Sequence, residues 1–223
     1  MEARATDITC REDEPLPMFP LSTVLLPGEL LPLQVFEPRY RVMMAHCLER
    51  RPHVFGVVLI ARGSEVGGGD TRTDVGTLAR IEALVRSEDG RYGLTARGTR
   101  RLRVLEWIPD DPYPRAKVAL LDDTGAAEAD PMEAARAAVV RVEALLSEMG
   151  TSPAPGVHGP ADDPGASLDV DPQGVWALCR RLLLGPADRQ HLLAIDETGA
   201  RLQSLTDMAL ARADDLVRLL AGG

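Results

Sequence analysis

Serine and histidine residues that could support nucleophilic or metal chemistry occur in this chain without the neighbours that such chemistry needs. Residues 165–169 begin like the Gly-x-Ser-x-Gly turn of serine hydrolases but end in Asp169, and no predicted strand precedes them to form the tight turn that exposes the hydroxyl. The four histidines show no pair at the spacing of two ligands on one helix face, and adjacent His46 and Cys47 would point about 100° apart on a helix. The sequence therefore predicts neither a catalytic residue nor a metal site.

Phosphate binding is disfavoured by the kind of basic residue present. Lys117 is the single lysine among 25 basic residues, and no Gly-Lys-Ser/Thr sequence occurs, which excludes the lysine-bearing glycine loop of P-loop nucleotide hydrolases. The glycine-rich stretch at residues 63–70 contains Glu65 and Asp70 and no following lysine. This composition favours a flexible hairpin or wide loop over a phosphate cradle, and no cofactor is predicted.

The one cluster of basic residues, formed by Arg97, Arg100, Arg101 and Arg103, leaves two interpretations open. Strand alternation places Arg101 and Arg103 on one face, which favours a solvated strand edge, and an anion or RNA contact is the alternative. The net charge of −9 falls almost wholly after residue 122, where 8 basic residues stand against 16 acidic ones. Because affinity for nucleic acid comes largely from clustered cations, RNA binding is the less favoured function.

Composition and cysteine usage predict a soluble protein of the cytoplasm. Hydrophobic residues make up 45% and charged residues 26% of the 223 residues, as in ordinary globular proteins. No apolar run approaches the roughly 18 residues of a membrane span, and the acidic start does not resemble a signal peptide. Cys10, Cys47 and Cys179 are an odd number at wide spacing, which fits reduced thiols better than a disulfide framework.

Hydrophobic patterning divides the chain into a β-rich half and a helical half. Short apolar runs broken by Pro and Gly predict strands that form a curled sheet or small barrel. These strands are expected at residues 16–21, 24–26, 31–35, 54–60, 77–86, 92–96, 101–107 and 116–121. One helix, at residues 39–48, interrupts them after Pro38.

The second half has the 3.6-residue periodicity of amphipathic helices. Asp130 and Asp171, each followed by proline, are predicted helix caps. Two further helices are expected, one at residues 187–194 and a last one that is capped near Thr198. The last helix carries an apolar series to the end of the chain: Leu202, Leu205, Met208 or Ala209, Leu216 and Leu219. The predicted organisation is a flexible tail at residues 1–14, a β-rich domain at 15–122, and a helical bundle at 123–223 with a mobile, Pro- and Gly-rich loop at 151–171.

Several segments of the β-rich half occur in the order typical of one known family. Residues 16–21 read Leu-Pro-Met-Phe-Pro-Leu, residues 24–28 Val-Leu-Leu-Pro-Gly, residues 75–81 Val-Gly-Thr-Leu-Ala-Arg-Ile, and residues 98–104 Gly-Thr-Arg-Arg-Leu-Arg-Val. The most specific piece is Phe-Glu-Pro-Arg-Tyr at residues 36–40. Together they resemble the amino-terminal, substrate-binding domain of Lon proteases.

The resemblance implies an α+β fold, with a PUA-like β pseudo-barrel followed by a helical bundle, and a function in binding protein or peptide segments. With 223 residues, the chain is expected to be a stand-alone, non-catalytic form without the ATPase and protease domains. Its expected role is that of an adaptor or holdase for unfolded or tagged proteins, with a separate protease or chaperone as partner. The client and the oligomeric state are left open.

Two sets of residues carry the site predictions. In the motif Phe36, Glu37, Pro38, Arg39 and Tyr40, the aromatic residues are predicted to fill the core, Pro38 to fix the turn, and the charged pair to satisfy each other or buried backbone groups.

The candidate peptide-binding surface consists of leucines in a proline-rich segment that cannot pair fully as a strand. These are Leu26, Leu30, Leu31 and Leu33. The alternative is that they pack under the helical bundle, since apolar residues are usually buried.

Overall fold

The computed structural model describes residues 14–63, 71–150 and 170–221, which form two compact units. The sheet unit contains the chain up to Ser22 together with Pro32–Leu120, and the helical unit contains Thr23–Leu31 together with the chain from Leu121 onward. Sequence patterning placed residues 23–31 in the β-rich domain, whereas in the structure they belong with the helices. Nearly all of the predicted tail and loop, residues 1–13 and 151–169, lies outside the described residues.

The sheet unit is a six-stranded sheet with one helix. Its elements are β1 (Leu16–Leu21), β2 (Leu30–Val35), α1 (Pro38–Glu49), β3 (Val54–Arg62), β4 (Thr71–Arg86), β5 (Tyr92–Ile108) and β6 (Arg115–Leu121). The strand order is β2-β5-β4-β3-β1-β6, and β5 also pairs with β6. This extra pairing closes five strands into a ring with β2 attached outside it, so the predicted α+β fold with a β pseudo-barrel is confirmed.

Alternation of side chains along the strands builds the barrel core. Met18, Leu78 and Leu102 from three different strands are fully buried in one cluster. Along β5, Tyr92, Leu94 and Ala96 are buried whereas the residues between them are partly exposed. The predicted strands at 92–96 and 101–107 are one continuous strand, and residues 24–26, predicted as a strand, form none.

Close strand approach explains the glycine at position 76. A Cβ atom on Gly76 would overlap the backbone carbonyl oxygen of Val57, which precedes Val58, the residue opposite Gly76 on β3. Because this neighbour is a backbone atom rather than a flexible side chain, a Cβ at position 76 would force β3 and β4 apart. Glycine is therefore required for the strand spacing at this point.

The helical unit consists of four helices, α2 (Ala129–Glu148), α3 (Pro172–Arg181), α4 (Pro186–Ala194) and α5 (Thr198–Ala221). Asp171 caps α3, accepting a 2.7 Å hydrogen bond from the backbone N–H of Gly174, as predicted. The predicted cap Asp130 is wrong: it lies in the first turn of α2, whose N-cap position is Glu128. Among the helices of the described residues, none has the length and apolarity needed to cross a membrane.

The apolar stripes of α2 and α5 are buried for most of their length. On α5, Leu202, Leu205 and Leu216 are at most 2% exposed. Leu219, the last member of the predicted apolar series, is 61% exposed, and the buried part of the stripe ends at Leu216.

A buried polar network joins three parts of the helical unit. The guanidinium of Arg201 donates to Asp123 Oδ1 at 2.7 Å and stacks 3.9 Å from the ring centroid of Trp176. The indole N–H of Trp176 donates to the other oxygen of the same carboxylate at 2.8 Å. Arg201 also donates to the backbone carbonyls of Leu192 and Ile195, which fixes the connection between α4 and α5.

Candidate binding cleft

The Phe36–Tyr40 motif forms the junction between β2 and α1. Tyr40 is 3% exposed, and its ring stacks on that of Phe19 with centroids 4.2 Å apart. Arg39 Nε donates to Glu37 Oε2 at 3.1 Å, and Pro38 begins the helix. Glu37 and Arg39 thus pair with each other at the start of α1.

The prediction that Phe36 fills the core is wrong, because its side chain is 56% exposed. The preceding residue, Val35, is 2% exposed and is the last residue of β2. Since consecutive residues of an extended chain face opposite sides, burial of Val35 directs Phe36 outward.

Of the four leucines in the predicted peptide-binding surface, two are buried. Leu26 is fully buried and Leu31 is 9% exposed, so neither presents a surface to a ligand in this structure, whereas Leu30 and Leu33 are half-buried. Residues 23–31 belong to the helical unit, whereas Pro32 and Leu33 belong to the sheet unit, so the four leucines do not form one exposed surface.

Hydrogen bonds hold this segment in the helical unit. The buried side chain of Arg189 donates to the carbonyl oxygen of Val24 at 3.0 Å and forms an ion pair with buried Glu29. Glu29 in turn accepts from the N–H of Leu26 at 2.8 Å. The segment therefore has a structural role in this unit.

A cleft of about 480 Å³ opens instead on the sheet unit, where β2, β4 and β5 lie side by side. Val85 pairs with Gly93 and Ala83 with Thr95, so these four residues share one face of the sheet. Gly93 has no side chain, and Gln34 from β2 lies beside it, since a Cβ on Gly93 would be 3.4 Å from Gln34 Nε2. Leu33 and Pro32 complete the β2 side of the cleft.

The exposed residues of this cleft are mainly apolar. Val85 is 70% exposed, the largest value among the exposed large hydrophobic side chains of the described residues, and Ala83 is also exposed. Apart from Leu33, none of the cleft residues was predicted as functional. The available signal was an apolar run, Ala-Leu-Val at residues 83–85, at the end of the unusually long strand β4.

The basic cluster does not form a solvated edge. Arg101 is 1% exposed, which contradicts that prediction, because β5 pairs with three strands and is not an edge. Arg97 forms a 2.7 Å hydrogen bond with Glu82, and this bond lowers the pKa of the Glu82 carboxyl below its usual value. Arg97, Arg100 and Arg103 are partly exposed.

The two cysteines in the described residues are buried thiols. Burial raises the pKa of Cys47 and of Cys179 to about 12. In the same part of the chain, no group of three or more His, Cys, Asp or Glu side chains is arranged to hold a metal ion.

We expect Cys47 and Cys179 to resist alkylation by iodoacetamide at pH 8, because the thiolate is the reactive form and its fraction there is on the order of one in ten thousand. Peptide mass spectrometry after timed labelling would measure this, with the same protein in denaturant as the control. Labelling of either cysteine as fast in the native as in the denatured protein would show that its burial is not maintained in solution.

Comparison with known proteins identifies relatives over most of the chain. Residues 15–210 match the family model of the substrate-binding domain of ATP-dependent protease La (LON). The chain is 33% identical over 129 residues to a Lon protease of Anaeromyxobacter dehalogenans, covering 56% of this chain and 15% of that one. It is 25% identical over 219 residues to a Lon protease of Trichlorobacter lovleyi, covering 95% of this chain and 25% of that one. The chain thus spans a quarter or less of the length of these proteases.

A solved structure shares the fold. The crystal structure of a Lon N-terminal domain protein from Xanthomonas campestris superposes with a TM-score of 0.61 at 28% identity. The match covers 86% of this chain and 96% of the other.

Proposed function

The chain belongs to the family of Lon substrate-binding domains, and from this premise we propose that it binds extended segments of other proteins in the cleft between β2, β4 and β5. Such a domain works by recognition, and the role proposed here requires no chemical step. The unfolded or tagged proteins that it holds are its clients, which it keeps soluble as a holdase or transfers as an adaptor to a separate protease or chaperone.

The observation that carries the proposal is the exposed apolar surface of the cleft. Val85 and Ala83 lie exposed on a sheet face whose centre, at Gly93, has no side chain. Exposed apolar clusters of this kind, with polar groups such as Gln34 and Thr95 around them, are typical of protein-binding sites. A folded client would present few extended segments to such a shallow surface, so unfolded chains are the proposed ligands.

We expect Val85→Asp to weaken the binding of a fluorescently labelled unfolded protein, reduced and carboxymethylated α-lactalbumin, by about ten-fold or more, because it places a charge in the apolar contact. Fluorescence anisotropy would measure the affinity. Leu105→Asp is the matched control, because Leu105 is 65% exposed on the same unit but does not line the cleft. Equal loss in both variants, or in neither, would exclude the cleft as the binding site.

The holdase role has a separate measurement. Stoichiometric amounts of the protein should reduce light scattering from thermally unfolding citrate synthase, and Val85→Asp should abolish that effect while Leu105→Asp retains it. If the protein binds labelled unfolded chains but does not suppress scattering, the adaptor role is favoured over the holdase role.

A further inference from the structure

Strand β4 has an open edge beside the cleft. β3 pairs with β4 only as far as Arg80, which lies opposite Val54. One residue further, the N–H of Ile81 donates a 2.9 Å hydrogen bond to the carbonyl oxygen of His53, just before β3. On its other side β4 remains paired with β5 up to Arg86, opposite Tyr92. Among the described residues, 82–86 therefore have a neighbouring strand on one side only.

The direction of the backbone groups along this edge follows from the hairpin that ends it. Ser87 N–H donates to Arg91 O at 2.9 Å, so this pair is hydrogen-bonded across the hairpin. Hydrogen-bonded and non-hydrogen-bonded pairs alternate along antiparallel strands. The backbone N–H and C=O groups of Val85 and Ala83 are therefore hydrogen-bonded to β5, whereas those of Leu84 and Arg86 point to the open side.

The usual protections of an edge strand are weak here. Natural proteins shield open edges with proline, charged side chains and lysine above all, bulges or a covering loop, and of these the open segment has charged residues only at its two ends, Glu82 and Arg86. Residues 82–86 read Glu-Ala-Leu-Val-Arg, without proline or lysine, and all except Leu84 are exposed. A register shift between Ile81 and Ala83 places an irregularity at Glu82, the first residue of the open segment, and residues 83–86 continue in regular register with β5.

The charges at the two ends of the open segment differ in their partners. Glu82 is already engaged by Arg97 at 2.7 Å and lies near Arg80. Arg86, in contrast, lies over the ring of Tyr92 at 5.7 Å and has no carboxylate partner among the described residues. Within the part of the chain that the structure describes, Arg86 is thus a cation without an ion pair beside the outward-directed backbone groups of Leu84.

We propose that a client segment adds to β4 as an antiparallel strand, with its main chain bonded to Leu84 and Arg86, an apolar side chain opposite Leu84 and an acidic side chain opposite Arg86. Antiparallel pairing is favoured because it is somewhat more stable per residue than parallel pairing. Main-chain bonds would supply most of the affinity, and the Arg86 pair would select among segments. This inference rests on the proposed function: the segment bonds to the β4 edge beside the cleft, and only its side chains opposite Ala83 and Val85 lie on the cleft face.

The test uses a labelled peptide with the core Asp-Thr-Ile-Thr-Thr, in which Asp lies opposite Arg86 and Ile opposite Leu84. In this register the Ile N–H faces β4, and the N–H groups of the adjacent threonines face away. N-methylation at Ile should therefore weaken binding by about ten-fold or more, whereas N-methylation at the following Thr should change it by less than about two-fold. Equal effects of the two modifications would overturn strand addition.

The charge preference is tested with R86E and with a second peptide in which Lys replaces Asp. The parent protein should prefer the Asp peptide, and R86E should prefer the Lys peptide. An unchanged preference in R86E would overturn the assignment of Arg86. Because Arg86 is exposed, circular dichroism should show that R86E folds like the parent.

Failure of this inference can be distinguished from failure of the proposed function. If Val85→Asp weakens client binding but the two N-methylated peptides bind equally, the cleft binds segments through side chains and strand addition is wrong. If Val85→Asp has no effect on either ligand, both the proposed function of the cleft and strand addition are wrong.

Discussion

Arg201→Ala should lower the free energy of unfolding by about 3 to 5 kcal/mol, because removal of one partner from a buried ion pair leaves the other charge without compensation. Arg201 is fully buried, whereas its partner Asp123 retains 17% side-chain exposure. The substitution also removes the stacking on Trp176 and the bonds to the carbonyl oxygens of Leu192 and Ile195. Urea denaturation followed by far-UV circular dichroism would measure the change.

The control for Arg201 is a solvent-exposed ion pair on the same helix. Arg218 is 76% exposed and lies 3.4 Å from Asp215, and such surface pairs contribute little because water and salt screen them. Arg218→Ala should therefore leave the urea midpoint almost unchanged. A similar midpoint for both variants would mean that the Asp123–Arg201–Trp176 network does not stabilise the helical unit.

Tyr40→Ala should destabilise the protein by about 3 to 5 kcal/mol, the usual loss for a buried aromatic side chain, whereas Phe36→Ala should cost less than about 1 kcal/mol. The two aromatic residues belong to one motif but differ in exposure, 3% against 56%. Tyr40 also loses its stacking on Phe19. The same urea denaturation, carried out on both variants, would compare them directly.

Each outcome for the pair has a defined meaning. A large loss of stability in Phe36→Ala would show that this ring is buried in solution, as sequence reasoning predicted. If Phe36→Ala keeps its stability but loses affinity for unfolded α-lactalbumin, Phe36 would extend the binding surface beyond the cleft.

Much of the local structure could be predicted because it depends on neighbouring residues. The strand at residues 16–21, the helix after Pro38 and the Asp171 cap all have causes within a few positions of the chain. The Phe-Glu-Pro-Arg-Tyr motif is also local. It was the most specific part of the resemblance to Lon substrate-binding domains, the family whose model matches residues 15–210. Asp130 was mistaken for a cap because α2 begins earlier, at Ala129.

The candidate site could be predicted only in small part. Leu33 alone of the predicted surface leucines lines the cleft, whereas Val85 and Gly93 were not identified. Their contribution depends on β2, β4 and β5 meeting in one sheet, although residues 33 and 93 are far apart in the sequence. An alternating pattern shows which residues share a face of a strand, but it does not show which strand lies next to it.

The sequence by itself determined the family and most element types, although not at residues 24–26, because periodicity, caps and motifs are local properties. Tertiary structure alone decided which side chains are buried. Arg201 is enclosed and paired with Asp123, Leu26 lies in a core, and Val85 remains in solvent. Nothing in the residue types fixes these outcomes, because burial depends on which distant segment covers a face. Val85 is 70% exposed because none of the described segments covers its face of the sheet at that end of β4.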